Sequence, residues 1–430
     1  MLQKKNNTFL ELKKKIFFVL LGLLIYRIGS YIPVPGINPE KLSHFFHIKG
    51  NSILGMFNMF SGGSLSRLTI FALGIMPYIS ASIIIQLMTS SIPKLEELKK
   101  EGEIGQRKIT SYTRYFAAIL SIFQSLAITQ YVVMQKLVYY TSSTFYITSM
   151  VTLTTGTMFL MWLGEQISEY GIGNGISIII TAGILSGIPN AVIHVFEEVR
   201  EGNLYLVIFF LVFISIFFVI LLIIYFEKAQ RCIPVHYAKR QHGRRIYTTQ
   251  DSHLPLKINM SGVIPAIFAS SMLLFLSTLF QWFSNIKYFF WLKNISLFLY
   301  PGTLLYTIIF AFLIVFFCFF YTALVFNPKD TADNLKKTGA FIPGIRPGEQ
   351  TAKFIDLIMS KLTTIGSIYI TFVCLFPIFI HTIWNIPFYF GGTSLLIVVV
   401  VIMDFISQIQ SYLISNRHYS LLKNINFKKN

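Results

Sequence analysis

Charged side chains are scarce in this sequence. Asp, Glu, Lys and Arg make up only 13% of its 430 residues, about half the share found in soluble globular domains. Acidic residues are the scarcer sign, 18 against 36 Lys and Arg, for a formal net charge of +18. Cysteine is limited to Cys232, Cys318 and Cys374, too far apart for a CxxC metal pair or a disulfide framework. The eight histidines form no HExxH motif and no i,i+4 pair, and GxSxG and GxxxxGK[ST] are missing. The sequence therefore offers no basis for a soluble domain, a hydrolase, a nucleotide site, a metal site or a bound cofactor.

What it does have is apolar length. Hydrophobic residues make up 54% of the chain, in runs of roughly 20 residues, the length that crosses a hydrocarbon core of about 30 Å. Ten spans are predicted, over 16–34, 73–92, 113–133, 148–167, 175–194, 204–226, 260–283, 304–326, 355–381 and 393–412. The first run carries Arg27 and leads into "YIPVPGIN" with no small-residue cleavage site, so it is read as a retained span and not a signal peptide.

An even number of spans puts both termini on one side. Outside the spans, the opposite loops hold only Lys41, Lys49, Arg67, Lys136, Arg200, Lys287 and Lys293. All other Lys and Arg outside the spans lie at the termini or in the loops on their side, which the positive-inside rule makes cytoplasmic. Two of these loops, 227–259 and 327–354, are too long to be simple helix hairpins. Both are basic, with turn residues at their tips: Gly243 before Arg244 and Arg245, and Pro343-Gly344 before Arg346-Pro347-Gly348. A retention signal would need much shorter loops, whereas long basic loops suit docking of an acidic partner such as RNA or an acidic protein face. Val235 and Tyr237 on one side of Gly243, with Ile246, Tyr247, Thr248 and Thr249 on the other, give a weak signal for short strands.

Few ionisable residues fall inside the spans: Arg27, Arg114, Glu165, Asp356, Lys361 and Asp404, with His194 and His381 at span ends. Asp404 is the deepest, and an inter-helix hydrogen bond accounts for it. A proton-coupled transporter would carry more mid-membrane carboxylates or histidines. "GIGNGIS" at 171–177 lacks GxGxxG spacing and a preceding strand. It reads as a tight turn between spans 4 and 5, with Asn174 near a helix start.

Isoleucines recur one turn apart, Ile75 with Ile79 in span 2 and Ile176 with Ile180 in span 5, and span 7 places Ile267 after Pro265. Such spacing in a membrane protein ordinarily faces lipid or another helix, so it does not by itself mark a pore. Just before span 2, "SGGSLSR" at 61–67 breaks the rules for a span, with glycines, serines and a full charge.

The blocks "MFNMFSGGSLSRLTIFALGIMPYISASIIIQL", "MWLGEQISEYGIGNGISIII", "HLPLKINMSGVIPAIFASS", "FCFFYTALVFNPKDTADNLKKTGAFIPGIRPGEQTAKFID" and "PFYFGGTSLLIVVVVIMDF" resemble the bacterial SecY family, the channel-forming subunits of the general protein translocase. The resemblance runs from about Leu12 to Ser411. It implies an all-α membrane protein: ten transmembrane helices in two pseudo-symmetric five-helix halves, 1–203 and 204–430, around a central pore. It implies a passive channel, in the cell inner membrane with both termini cytoplasmic, that passes unfolded secretory chains and releases transmembrane segments sideways into lipid.

Residue by residue, the resemblance implies a pore ring of Ile75, Ile79, Ile176, Ile180, Ile267 and Ile397. Stiff, β-branched apolar side chains would seal around any chain without binding ions. It makes 61–71, including Ser61, Gly62, Gly63, Ser64 and Arg67, a plug, expected as a short helix. Spans 2 and 7 become a lateral gate, with spans 3 and 8 beside them and with Ser82, Gln86 and Asn259 as polar gate residues. The basic loops become docking sites for the ATPase SecA and the ribosome, with Arg244, Arg245 and Arg346 at their tips. Small membrane subunits SecE and SecG, signal-bearing preproteins and membrane lipids are the other implied partners, and no cofactor is implied. The chain departs from the family pattern in a short external segment at 134–147, in Tyr170 where a basic residue is common, and in the tail "SNRHYSLLKNINFKKN". The competing classes are a secondary transporter, disfavoured by the missing ionisable cluster and the oversized basic loops, and a pore-free structural or insertase-like protein.

Overall fold

The computed structural model describes residues 2–42, 58, 61–139, 143–202, 205–237, 241–242, 245–246, 252–284, 303–384 and 391–426. Among them are twelve helices: α1 Leu2–Gly29, α2 Met76–Ser91, α3 Pro93–Lys100, α4 Glu103–Met134, α5 Ser143–Tyr170, α6 Gly175–Arg200, α7 Leu206–Lys228, α8 Ile264–Ser284, α9 Leu304–Val325, α10 Pro328–Thr338, α11 Glu349–Trp384 and α12 Gly392–Asn426. Ten of these fall on the ten predicted spans, and α3 and α10 are short helices in the basic loops. Taken singly, six of the described helices are long and apolar enough to cross a membrane, with Gly175–Pro189 and Ile264–Ser277 shorter apolar stretches. α7 shows why the surrounding medium must be apolar: Leu206, Val207, Phe210, Phe213, Ile214, Phe217 and Phe218 all face outward, a patch no soluble surface tolerates.

Local chemistry sets the helix ends. Asn174 caps α6 as expected, its side-chain oxygen accepting from the Ile176 and Ser177 amides. The Thr303 hydroxyl caps α9 and Asn327 caps α10, where Pro328 supplies the first-turn residue that needs no amide partner. α1 stops at Gly29, earlier than the predicted end at 34, because the prolines of "YIPVPG" cannot continue a helix. α2 has only 16 residues, about 24 Å at 1.5 Å per residue, too short to cross alone. The depth it lacks is filled by the segment before it.

That segment, 61–75, is a chain of turns and not the short helix expected for 61–71. Gly62, Gly63 and Gly74 have φ of 67°, 80° and 57°, and Leu68 is forced to φ 44°. Four left-handed residues in fifteen cannot belong to a right-handed helix. A bridge between Pro33 and Thr69 ties its second part to the chain after α1, through bonds from the Val34 amide to Leu68 O and from the Ile70 amide to Ile32 O, both 3.0 Å.

The described chain is not purely helical. The two basic loops join in one sheet, in which β1 (Gln230–Tyr237) lies between β4 (Ser252–Lys257) and β5 (Ala340–Phe341). β1 and β4 pair antiparallel from Gln230–Lys257 to Val235–Ser252, and β5 pairs His236 with Phe341. Val235 and Tyr237 do lie in a strand, but its partner is 252–257. Ile246 instead belongs to a separate small hairpin of β2 (Gln241–His242) and β3 (Arg245–Ile246), while 247–249 lie outside the described residues. Ile233 and Leu256 from the first loop, Ile342 from the second, and Ile355, Ile358, Met359 and Leu362 of α11 share one buried cluster.

Candidate functional site

The bundle interior is one continuous apolar cluster. Ile75, Ile79, Ile180, Ile267 and Ile397 are buried within it, and Ile176 packs at its edge. Ile75 is the residue before α2, with Pro77 opening the helix and Ile79 one turn on. Ile176 and Ile180 follow the Asn174 cap on α6. Ile267 and Ile397 come from α8 and α12. Ile397 has no exposed surface. Ile176 leans outward toward α5, its Cγ1 3.0 Å from where a Cβ on Gly164 would sit. It is the most peripheral of the six.

The turn segment is part of this cluster, with Leu65, Leu68, Phe71, Ala72 and Leu73 buried in it, but its polar contacts to the neighbouring helices are few. The Tyr26 hydroxyl of α1 donates to Ser61 O at 3.3 Å, and the Ser186 hydroxyl of α6 donates to Gly62 O at 3.3 Å. At Gly62 the backbone closes onto α6: a Cβ there would lie 2.9 Å from Gly183 Cα and 2.9 Å from the Tyr26 oxygen. Only glycine fits, for space as well as for φ. Within the segment, Asn58 Oδ1 accepts from the Ser66 amide at 2.7 Å and Ser61 Oγ from the Leu65 amide at 3.2 Å. Ser64 is fully buried, and its hydroxyl is one of four buried side-chain polar atoms with no partner among the described residues. An orphan of that kind costs about 1–3 kcal/mol, so this seat is not an optimised one. Arg67 is exposed, with its guanidinium over the Tyr31 ring.

Of the polar residues expected at a gate, the structure brings Ser82 and Gln86 together, the Gln86 amide donating to Ser82 Oγ at 3.2 Å within α2. Gln86 Oε1 stays buried without a partner. Asn259 lies elsewhere. Its amide donates to Glu227 Oε2 at the end of α7 and to Gly262 O, and its carbonyl accepts from Ser261 Oγ. It shapes the turn into α8 and does not face Gln86. The direct polar contact between α2 and α8 is a weak one, Ser271 Oγ to Met76 Sδ at 3.6 Å. Phe275 of α8 reaches the small apolar cluster of Ala81, Ala117 and Leu120.

Of the three docking arginines, Arg346 is exposed on the turn between β5 and α11, its carbonyl held by the Thr351 hydroxyl at 2.9 Å. Arg245 lies in β3, and Arg244 lies outside the described residues. On α3, hydrogen bonding and charge from Lys100, 2.8 Å from Glu96, hold that carboxyl below its ordinary range. Both groups are exposed, so the pair adds little stability. Among the described residues no group of His, Cys, Asp and Glu is arranged to hold a metal ion.

Sequence reasoning missed Tyr26, Tyr31, Ser186 and Glu227. A hydroxyl on an apolar helix and an acid at a span end carry no motif. Arg114 and Glu165, noticed separately, form a two-point ion pair joining α4 to α5, at 2.9 Å and 2.8 Å.

A bundle of apolar helices around an apolar interior that holds these isoleucines, with an irregular turn segment packed into it, is the fold of a channel-type polytopic membrane protein. A family model described as SecY matches residues 69–406. Curated relatives described as protein translocase subunit SecY are 57% identical in Escherichia coli K12, over 97% of this chain and 95% of the relative, and 55% identical in Vibrio cholerae, with the same coverage. The chain belongs to the SecY family. Similar solved structures include one described as a protein conducting channel, with TM-score 0.68, 18% identity and coverage of 95% of this chain and 94% of that one. Another is Sec61 in a canine ribosome–channel complex, with TM-score 0.63, 17% identity and coverage of 95% and 94%.

Proposed function

We propose that this chain is the protein-conducting channel of a translocase, passing unfolded secretory chains across the membrane and releasing apolar segments sideways into lipid. It supplies a path and a seal, and not catalysis. The observation that carries the reading is an irregular, Gly- and Ser-rich turn segment set into an apolar, isoleucine-rich interior, with only a few hydrogen bonds to the helices around it. A ring of Ile75, Ile79, Ile176, Ile180, Ile267 and Ile397 offers no group to hold an ion or water, and it yields to any side chain that passes. The segment 61–71 closes the path as a plug. Irregular backbone at this depth is tolerated because it lines protein and not lipid.

The two halves, 1–203 and 204–430, would part at the gate. Support comes from where they touch: the main helix contacts between them are α2 with α8 and α6 with α12, besides the α6–α7 connection. The α2–α8 side is held by apolar packing and one weak sulfur contact, so an entering signal helix loses little by displacing it. Ser82 and Gln86 lie on that side, and the buried Gln86 carbonyl oxygen without a partner adds to the ease of opening. Asn259 enters this reading as the residue that sets the root of α8.

Arg244, Arg245 and Arg346 would dock the ribosome and the ATPase SecA, with SecE and SecG as membrane partners. The basic loops and their shared sheet support a rigid cytoplasmic platform. The charge asymmetry supports a reading with both termini in the cytoplasm and the protein in the inner membrane. Crosslinking tests the reading: with cysteines at Ile79 and Ile267, an arrested secretory chain is expected to crosslink at both positions in the assembled complex. Crosslinks at lipid-facing Phe213 and none at the ring would overturn it.

A further inference from the structure

Tyr31 occupies a particular place relative to the segment 61–75. It lies two residues past the end of α1, with 51% of its surface exposed, at the end of the bundle opposite the basic loops. The Arg67 guanidinium stands 4.3 Å from its ring centroid and the Arg27 guanidinium 4.8 Å, and Arg27 Nη2 also donates to the Tyr31 hydroxyl at 2.8 Å. Among the described residues neither guanidinium has an acidic partner. Two like charges therefore converge on a single side chain, and the electron-rich face of its ring, together with the hydroxyl that accepts from Arg27, offsets their repulsion.

The position along the chain matters as much as the contact. Residues 68–70 are bonded to 32–34, so the part of the segment beyond Leu68 is fixed to the chain after α1. The pairing is antiparallel, so Arg67 stands just before Leu68 at one end of that ladder and Tyr31 just before Ile32 at the other, and their side chains meet across it. Leu68, at φ 44°, makes the bend between the fixed part and the part that docks on α6 through Gly62. A contact at this point controls rotation about the bend with little leverage against it.

We propose that Tyr31 is a latch, gripping Arg67 at the pivot and holding the plug in its seat, with Arg27 opposing the grip so that it releases easily. The proposal rests on reading 61–71 as the plug. Plug departure breaks the ring contact and the two hydrogen bonds from Tyr26 and Ser186, and it separates the two guanidiniums.

The test is the resting ion conductance of the assembled complex in planar bilayers, with no substrate present. Tyr31→Leu is expected to raise the open fraction about 3- to 5-fold, the scale of one exposed cation–ring contact. Tyr31→Phe keeps the ring and is expected to stay within about 2-fold of the parent. Arg67→Gln, at an exposed site where folding is not at stake, is expected to match Tyr31→Leu, and the double variant to leak no more than either. The latch is overturned if Tyr31→Leu seals like the parent, if Tyr31→Phe leaks as Tyr31→Leu does, or if the two single effects multiply. Deleting 61–69 separates this from the underlying reading. A tight deletion variant refutes the plug itself, whereas a leaky deletion with a tight Tyr31→Leu refutes only the latch.

Discussion

The turns at 61–75 and the paired basic loops both depart from the helical bundle, and they are held in contrasting ways. The loops are stitched by a continuous antiparallel ladder between β1 and β4 and by a second pairing to β5. Beneath them lies a cluster that includes Ile355 and Leu256, with 0% and 1% of their surface exposed. The turn segment has its own tight internal bonds and buries Leu65 in the core, but before Leu68 its polar hold on α1 and α6 comes down to two 3.3 Å hydrogen bonds, with a close approach at Gly62 and a ring contact. It also buries a hydroxyl with no partner. Regions that open are drawn from the weakly held end of a structure. On the proposed reading of 61–71 as a plug, one of these segments keeps its shape under load and the other leaves.

Five substitutions would break or sharpen that contrast. Arg346→Glu reverses a charge on the exposed tip of the rigid unit. If the tip docks a motor, export in reconstituted vesicles should be abolished while the complex still assembles, since like-charge contacts at an interface cost several kcal/mol. Normal export by that variant would remove Arg346 from the docking role. Ile355→Ala hollows the cluster under the loops and should destabilise the protein by about 2–5 kcal/mol, seen as a lower melting temperature and faster proteolysis within 227–259. If melting is unchanged, the unit is not held by its core.

The plug side should respond through conductance and not through stability. Gly62→Ala meets both an unfavourable φ, worth about 1–2 kcal/mol, and a clash with Gly183. Gly63→Ala meets only the φ, because the space beside it is open. Resting ion leak should therefore rise for both and more for Gly62; equal leaks would mean the close approach to α6 does not seat the plug. Ser64→Ala removes the orphan hydroxyl and should act in the opposite direction, tightening closure by about 1 kcal/mol. A leakier Ser64→Ala channel would show that this hydroxyl finds a partner in the membrane.

Much of this architecture was legible residue by residue. The ten spans, the Asn174 cap, the tight turn at 171–174 and the exclusion of "SGGSLSR" from a membrane helix all follow from local composition. The ring residues were legible only by resemblance, since isoleucine at helical spacing does not announce which way it faces. The form of the plug was misjudged. Its resemblance suggested a helix, but the left-handed residues at 62, 63, 68 and 74 override it. Asn259 was read with the gate because it precedes α8 in sequence, yet its amide is taken up by Glu227, 32 residues earlier.

Hydropathy summed over some 20 residues, and the count of Lys and Arg in each loop, decide which segments enter the membrane and which side the termini occupy. Both are sums over neighbours in the chain, so no tertiary contact is needed to read them. The seat of the proposed plug depends instead on Tyr26 meeting Ser61 across 35 positions and Ser186 meeting Gly62 across 124. The sheet of the basic loops depends on β1 finding β5 roughly a hundred residues later. Such contacts act over about 3 Å, through directional bonds and steric fit, and they exist only where the folded helices bring the partners together.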